Sequence, residues 1–270
     1  MFLHDYTPNP ILIDLGPIQA HWYGLFVVLG ILAAILVASS LSHYYNLKKQ
    51  DVVDLGFWAT FSGLLGARIY DVLLELPYYL QYPWDIFKVW QGGLAIHGGI
   101  IGGTIAVYVF CKKKNINLLT MLSVITPGLA LGQAIGRWGN YFNQELFGKP
   151  TDLPWGIPIL LENRVPGFFS FEYFHPTFLY ESLGNFGIFL TLLGMHLLII
   201  KNKISCSKDL CSAIIIAFYL SAYAILRFFL ETIKIDPTPD IGGLRVPQII
   251  SLLMIALAGY LIYSKQKHRI

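Results

Sequence analysis

The sequence predicts an all-α integral membrane protein of seven transmembrane helices, with the N-terminus outside, the C-terminus cytoplasmic and a small extracytoplasmic head between helices 4 and 5. Three observations carry this expectation. Of 270 residues, 55% are hydrophobic and only 13% charged, where a soluble domain has about a quarter charged. Apolar runs long enough to cross ~30 Å of hydrocarbon at ~1.5 Å per residue recur along the chain. The basic residues divide unequally between the two sides that an alternating path through those runs defines.

Three runs, 22–41, 118–137 and 246–263, are free of charge up to the Arg137 that ends the second. Four more, 55–74, 94–111, 176–200 and 210–230, are equally apolar but carry ionisable or polar interruptions. With seven spans, one side receives Lys48, Lys49, Lys112, Lys113, Lys114, Lys201, Lys203, Lys208, Lys265, Lys267 and Arg269, and the other only Lys88, Lys149, Arg164, Lys234 and Arg245. The richer side is expected to be cytoplasmic. The stretch 138–175 then lies outside as the head, and 1–270 reads as a single polytopic domain. Its aromatics, among them Trp155, Phe168, Phe169 and Phe171, suit the headgroup layer.

The net charge of +3 does not indicate nucleic acid, because the cations sit in short juxtamembrane clusters that topology and anionic headgroups explain. Cys111, Cys206 and Cys211 fall at or near the expected cytoplasmic face, where thiols stay reduced, and they lack metal-ligand spacing. Neither a metal nor an organic cofactor is expected.

Ionisable groups are costly in hydrocarbon and usually face a bundle interior or a wet cavity, paired or functional. Here His97, Arg137, Glu181, Arg227 and Glu231 all fall towards the expected outer ends of their spans. Arg227 and Glu231 stand one turn apart, as a functional pair or an ordinary i,i+4 contact would. Arg68 and Asp71 read as a snorkelling pair at the interface. His97 alone reads as a packing histidine, but Gly98, Gly99, Gly102 and Gly103 beside it leave room for a helix or a ligand.

The segment Gly136-Arg137-Trp138-Gly139-Asn140-Tyr141-Phe142-Asn143-Gln144-Glu145-Leu146-Phe147-Gly148 is the strongest local signal. Arg137 can grip a phosphate as a fork, Asn140 and Asn143 can bond ester or glycerol oxygens, and Glu145 can orient Arg137 or a hydroxyl. A polar, turn-rich helix exit is the plainer reading of the same residues.

These thirteen residues resemble the signature of the prolipoprotein diacylglyceryl transferases. The likeness extends to His21-Trp22-Tyr23-Gly24-Leu25, His97-Gly98-Gly99-Ile100-Ile101-Gly102, His175-Pro176-Thr177-Phe178-Leu179-Tyr180-Glu181 and Tyr223-Ala224-Ile225-Leu226-Arg227-Phe228-Phe229-Leu230-Glu231. Five motifs in order cover most of the chain. Two positions stand out: Lys234, which keeps the positive charge the family commonly has three positions after the Glu231 equivalent but as a lysine, and Pro247-Gln248 where the family has Gly-Gln. Lysine lacks the guanidinium fork, so Lys234 stays outside the expected core site.

The resemblance implies a seven-helix enzyme of the bacterial cytoplasmic (inner) membrane with its active site towards the outer side. It implies transfer of the sn-1,2-diacylglyceryl group of phosphatidylglycerol to the lipobox cysteine of a prolipoprotein signal peptide, forming a thioether and releasing glycerol phosphate. This is the first step of bacterial lipoprotein maturation. The implied partners are phosphatidylglycerol, the prolipoprotein and membrane lipids, with no nucleic acid. Catalytic roles are implied for His97, Arg137, Arg227, Glu145 and Asn140, and phosphatidylglycerol-binding roles for Arg137, Asn140, Asn143, Tyr23, Gly148 and Glu231. An organic-anion transporter would place its polar residues near the midplane in two matching halves, a pattern this sequence lacks. A lipid-binding scaffold would show the same spans without turnover.

Overall fold

A computed structural model describes residues 2–16, 19–203 and 206–267; Arg269, counted above among the cytoplasmic cations, lies outside them. The elements run α1 (Phe2–Asp5), β1 (Ile11–Asp14), β2 (Gln19–His21), α2 (Trp22–Ser42), α3 (Lys49–Leu74), α4 (Leu76–Gln81), α5 (Ile96–Lys114), α6 (Leu118–Phe142), β3 (Ile157–Pro158), β4 (Tyr173–Phe174), α7 (Thr177–Ile200), α8 (Lys208–Glu231), β5 (Asp240–Ile241), β6 (Leu244–Arg245) and α9 (Val246–Lys267). The strands form three short antiparallel pairs, β1 with β2, β3 with β4 and β5 with β6.

Among the described residues, six helices are long and apolar enough to cross a membrane: Trp22–Tyr45, Lys49–Leu74, Leu118–Phe142, Thr177–Ile200, Lys208–Glu231 and Val246–Lys267. The remaining expected span, α5, is helical over 19 residues, but its four glycines, His97 and the terminal Lys112–Lys114 lower its apolar content. Pro127 lies inside α6, which a transmembrane helix tolerates because neighbouring groups re-satisfy the freed carbonyl.

The chain divides into two compact units, Ala38–Val124, and Met1–Val37 with Ile125–Ile270. In the first unit, glycines bring α3 and α5 together. A Cβ on Gly98 would stand 2.2 Å from the Gly66 carbonyl oxygen, and one on Gly102 2.2 Å from that of Ser62. Only residues without a side chain permit this approach, so packing accounts for Gly98 and Gly102, while at Gly99 and Gly103 a Cβ would make ordinary contacts at 3.6 and 3.8 Å. At the far ends of the same helices Lys114 pairs with Asp51 at 2.9 Å.

Arg68 departs from the expected snorkelling pair. It is buried, at 7% exposure, and its guanidinium donates to the carbonyls of Ile86 at 2.9 Å, Gly92 and Gly93 at 2.8 Å, and Asp85. Asp71 stands 3.7 Å away and accepts from the Tyr79 hydroxyl at 2.9 Å. A guanidinium has five donors in a rigid fork, and here most are used on the loop between α4 and α5.

In the second unit, Gly30 and Gly132 pack backbone to backbone across α2 and α6, and Gly128 packs on Ala34. The head has its own core, in which Phe147, Ile157, Ile159 and Phe174 pack on Tyr141 of α6 and Phe178 of α7. Its aromatics therefore serve two purposes: Phe174 is fully buried while Trp155, Phe169 and Phe171 stay exposed. The N-terminal segment docks on the head, with His4 stacked on Tyr173 at 4.2 Å and its Nδ1 2.8 Å from the Gly156 carbonyl oxygen.

One cysteine expectation is corrected. Cys206 and Cys211 form a disulfide, and Cys111 is buried and free. The turn into α8 brings the two Cα atoms to 5.7 Å, within the range such a bond spans.

Candidate active site

Four elements bring charged side chains to a common end of α6, α7, α8 and α9. Arg137 lies near the C-terminal end of α6 and Glu181 in the first turns of α7. Arg227 and Glu231 close α8, and Arg245 precedes α9. Because α6 and α8 run opposite to α7 and α9, residues near these ends meet although up to 108 positions separate them in the chain.

Glu181 is the hub. It is 1% exposed, and its carboxylate stands 2.5 Å from Arg137 Nη2, 3.4 Å from Arg227 Nη1 and 3.2 Å from Lys234 Nζ. Arg227 also reaches Glu231 at 3.1 Å, and Arg245 reaches the other Glu231 oxygen at 3.3 Å. Glu231 is likewise 1% exposed. Its oxygens meet no hydrogen-bond geometry among the described residues, so its pairing is Coulombic. Arg245 is held in turn by the carbonyls of Glu231 at 3.0 Å and Lys234 at 2.9 Å, by Thr238 Oγ1 at 2.9 Å, and by Asp236.

Four cations thus face the three ion-paired carboxylates Glu181, Glu231 and Asp236, and Glu145, joined to Arg137 through Asn140, is a fourth carboxylate of the wider network. Buried carboxylates are retained only when paired, and this cluster pairs them. Lys234 lies just beyond α8, where burial pushes its ammonium below the usual lysine range, with Arg227 and Arg137 adding to the shift and Glu181 opposing it. The side chains of Arg137, Arg227 and Arg245 keep 20%, 19% and 18% exposure, so the arginines, and not the carboxylates or Lys234, are the cluster's open face.

A second polar branch runs outward from Arg137. Its Nη1 donates to Asn140 Oδ1 at 3.4 Å, and Asn140 Nδ2 donates to Glu145 Oε1 at 2.7 Å, with Asn143 Nδ2 at 3.5 Å from the same oxygen. Arg137 and Asn140 are three residues apart and so share a helix face. Glu145 orients Asn140 here, and Asn140 faces Arg137, where direct contact of Glu145 with Arg137 was one expectation.

Tyr23, at the start of α2, lays its ring over Gly139, where a Cβ would come within 2.6 Å of the ring. Gly148 is a packing knot. A Cβ there would lie 2.8 Å from both His175 Cβ and Ile233 Cγ2, and its backbone bridges to Lys234 while its N–H donates to the His175 carbonyl at 2.9 Å. That bridge holds Lys234 against the cluster. His97 belongs to the other unit, where it is exposed at the start of α5 with its ring 6.0 Å from that of Tyr70.

Arg137, Asn140, Asn143, Glu145, Arg227 and Glu231 therefore form one connected network. Sequence reasoning placed Glu181 in the polar cluster without a catalytic or binding role, and left Lys234, Arg245 and Gln248 out of the site. Gln248 accepts from the Arg245 backbone N–H at 3.0 Å and so fixes the turn that presents Arg245. The available signal was the charge of Lys234 just after Glu231 and of Arg245 just before α9; neutral Gln248, inside α9, offered none.

Fold and site together define a polytopic helical membrane protein with a buried, ion-paired polar centre. The family model for prolipoprotein diacylglyceryl transferase matches residues 10–264. Relatives called phosphatidylglycerol--prolipoprotein diacylglyceryl transferase are 42% identical in Nostoc sp., over 93% of this chain and 87% of the relative. The figures are 40% over 93% and 90% in Gloeobacter violaceus, and 41% over 94% of each chain in Finegoldia magna. The chain belongs to the prolipoprotein diacylglyceryl transferase family, and it is a transferase of lipoprotein biosynthesis.

Proposed function

We propose that this chain moves the sn-1,2-diacylglyceryl group of phosphatidylglycerol onto the thiol of a lipobox cysteine in a prolipoprotein signal peptide. The observation that supports the reading is the ion cluster centred on Glu181, whose arginines Arg137, Arg227 and Arg245 keep part of their side chains exposed. A phosphodiester suits the exposed guanidinium donors. Seven spans, α5 included, form a single domain in the bacterial inner membrane, with the N-terminus and the 138–175 head outside and the C-terminus cytoplasmic.

The thiolate sulfur attacks the glyceryl carbon that bears the phosphodiester. A C–S bond forms, the C–O bond breaks, and its electron pair leaves on the oxygen of glycerol phosphate. Negative charge grows on that oxygen as the bond breaks. Cations fixed beforehand in a poorly hydrated site bind this transition state more strongly than the ground state, and this lowers the barrier. Arg137 and Arg227 fill that role. Glu181 and Glu231 hold their guanidiniums in place so that little reorganisation accompanies the step.

Asn140 and Asn143 bond ester or glycerol oxygens, Glu145 sets Asn140, Tyr23 borders the lipid, and Gly148 keeps the head close. A cysteine thiol with pKa ~8.5 is mostly protonated at neutral pH, so a base assists. The family resemblance assigns that base to His97, whose side chain is exposed in the first turn of α5. The nucleophile comes from the peptide, and the reaction as written calls for no cofactor.

The test incubates purified protein in lipid vesicles with phosphatidylglycerol and a lipobox peptide. Diacylglyceryl peptide and glycerol phosphate appear together, and neither forms when the peptide cysteine is replaced by serine. A bound lipid with no turnover would instead mark a scaffold.

A further inference from the structure

The signature after α6 contains one buried polar side chain that the mechanism leaves unused. Gln144 is 4% exposed, and its carboxamide is bonded at both ends to distant segments. Its Oε1 accepts from Leu160 N at 2.8 Å and Asn163 Nδ2 at 3.1 Å, and its Nε2 donates to the Pro8 carbonyl at 3.4 Å. One side chain thus joins the N-terminal segment, the head and the exit of α6.

Its backbone is unusual as well. Gln144 has φ 50° and Leu146 φ 55°, the left-handed region that a residue with a Cβ occupies only where its surroundings hold it. Glu145 stands between them. The turn brings Glu145 N back to the Asn140 carbonyl at 3.1 Å and its carboxylate to Asn140 Nδ2 at 2.7 Å. Beyond it, the Leu146 carbonyl accepts from the Thr177 hydroxyl. Without its anchors, a turn with two strained residues would relax towards an ordinary helix exit and carry Glu145 away from Asn140.

We propose that Gln144 is a positioning residue: its buried carboxamide locks the left-handed turn that aims Glu145 at Asn140 and, through Asn140, sets the direction of Arg137. The proposal rests on the transferase reading above, because that reading gives the direction of Arg137 a chemical consequence. Three substitutions separate the backbone from the tie. Glycine adopts φ 50° freely but has no carboxamide. Alanine loses the tie and keeps the strain. Asparagine tolerates the left-handed region but is one methylene shorter.

The experiment measures kcat and KM for transfer with Gln144→Gly, Gln144→Ala and Gln144→Asn, each alone and in a Glu145→Gln background. It also follows amide hydrogen exchange of peptides spanning 143–148 and 158–163. Gln144→Gly lowers kcat by about 10²-fold, the loss a displacement of roughly 1 Å produces, with KM for phosphatidylglycerol changed less than about threefold. Gln144→Asn recovers part of the rate. In the Glu145→Gln background Gln144→Gly costs little more, because both changes interrupt the same chain of contacts.

A Gln144→Gly protein with wild-type kcat, or losses that multiply in the double variant, would overturn the proposal. Exchange judges the tie independently of activity: both peptides lose protection in Gln144→Gly, and unchanged protection refutes the lock. A wild-type protein that transfers nothing sinks the transferase reading, while the exchange result still decides whether Gln144 holds the turn.

Discussion

Replacing Glu181 by glutamine removes one charge at almost constant volume from the point where three cations converge. Arg137, Arg227 and Lys234 stand 2.5, 3.4 and 3.2 Å from its oxygens, and the group is 1% exposed. The four cations of the ion-paired cluster would then face two carboxylates, Glu231 and Asp236, one negative charge fewer than before. Removing one partner of a buried ion pair costs ~3–5 kcal/mol. The arginine side chains keep 20% and 19% exposure, and their partial hydration places the loss near ~3 kcal/mol. At ~2–4 °C per kcal/mol, Tm falls by ~6–12 °C. The assay is thermal unfolding of the purified protein in micelles, followed by tryptophan fluorescence, with a neutral or an anionic lipid added. The extra positive charge makes phosphatidylglycerol a stronger stabiliser of the variant than of the wild type. A fall in Tm below ~2 °C, or equal rescue by neutral and anionic lipid, would refute Glu181 as the hub of the cluster.

Arg137→Lys keeps the charge but loses the fork that spans Glu181 and Asn140, so kcat/KM drops by ~10²–10³-fold, the usual loss for one oxyanion donor; a rate within tenfold of wild type would remove Arg137 from the chemistry. Burial, aided by Lys149, holds the His175 imidazole below its ordinary 6.5. The folded protein therefore binds that proton less readily than the unfolded chain, and stability is lost as pH falls from 6.5 towards the lower folded value. His175→Gln flattens that part of the Tm–pH curve, and an unchanged curve would contradict the shift. Gly102→Ala puts a methyl 2.2 Å from the Ser62 carbonyl oxygen and destabilises the α3–α5 pair by at least ~1–3 kcal/mol; normal exchange protection of Ser62 and its neighbours in the variant would show that the crossing is looser than described.

The spans were legible because a run of apolar residues is a local property, and α2, α3, α6, α7, α8 and α9 each carry one. The polar centre was legible to the extent that its members interrupt those runs: Arg137, Arg227 and Glu231 stand out against their neighbours. Lys234 and Arg245 do not, because they lie in a loop where charge is ordinary, and only the bridge from Gly148 and the turn fixed by Gln248 direct them inward. Arg68 looked like a snorkelling residue because its acceptors are backbone carbonyls, which no residue pattern marks. The bond between Cys206 and Cys211 was hidden for a different reason, since the expected compartment argued for thiols while the turn at Ser207 brings the sulfurs together. Gln144 sat in plain view in the signature, but its partners Pro8 and Leu160 are distant in sequence.

The central claim is that sulfur attacks carbon while the arginines receive a leaving phosphodiester oxygen. Phosphatidylglycerol carrying oxygen-18 in the bridge between the diacylglyceryl carbon and phosphorus tests it directly, with the purified protein, a lipobox peptide and mass spectrometry of the released phosphate ester. The label should leave entirely with glycerol phosphate, and the peptide should carry an unlabelled thioether. Recovery of the label on the diacylglyceryl product would mean that the P–O bond had broken, and would contradict the account.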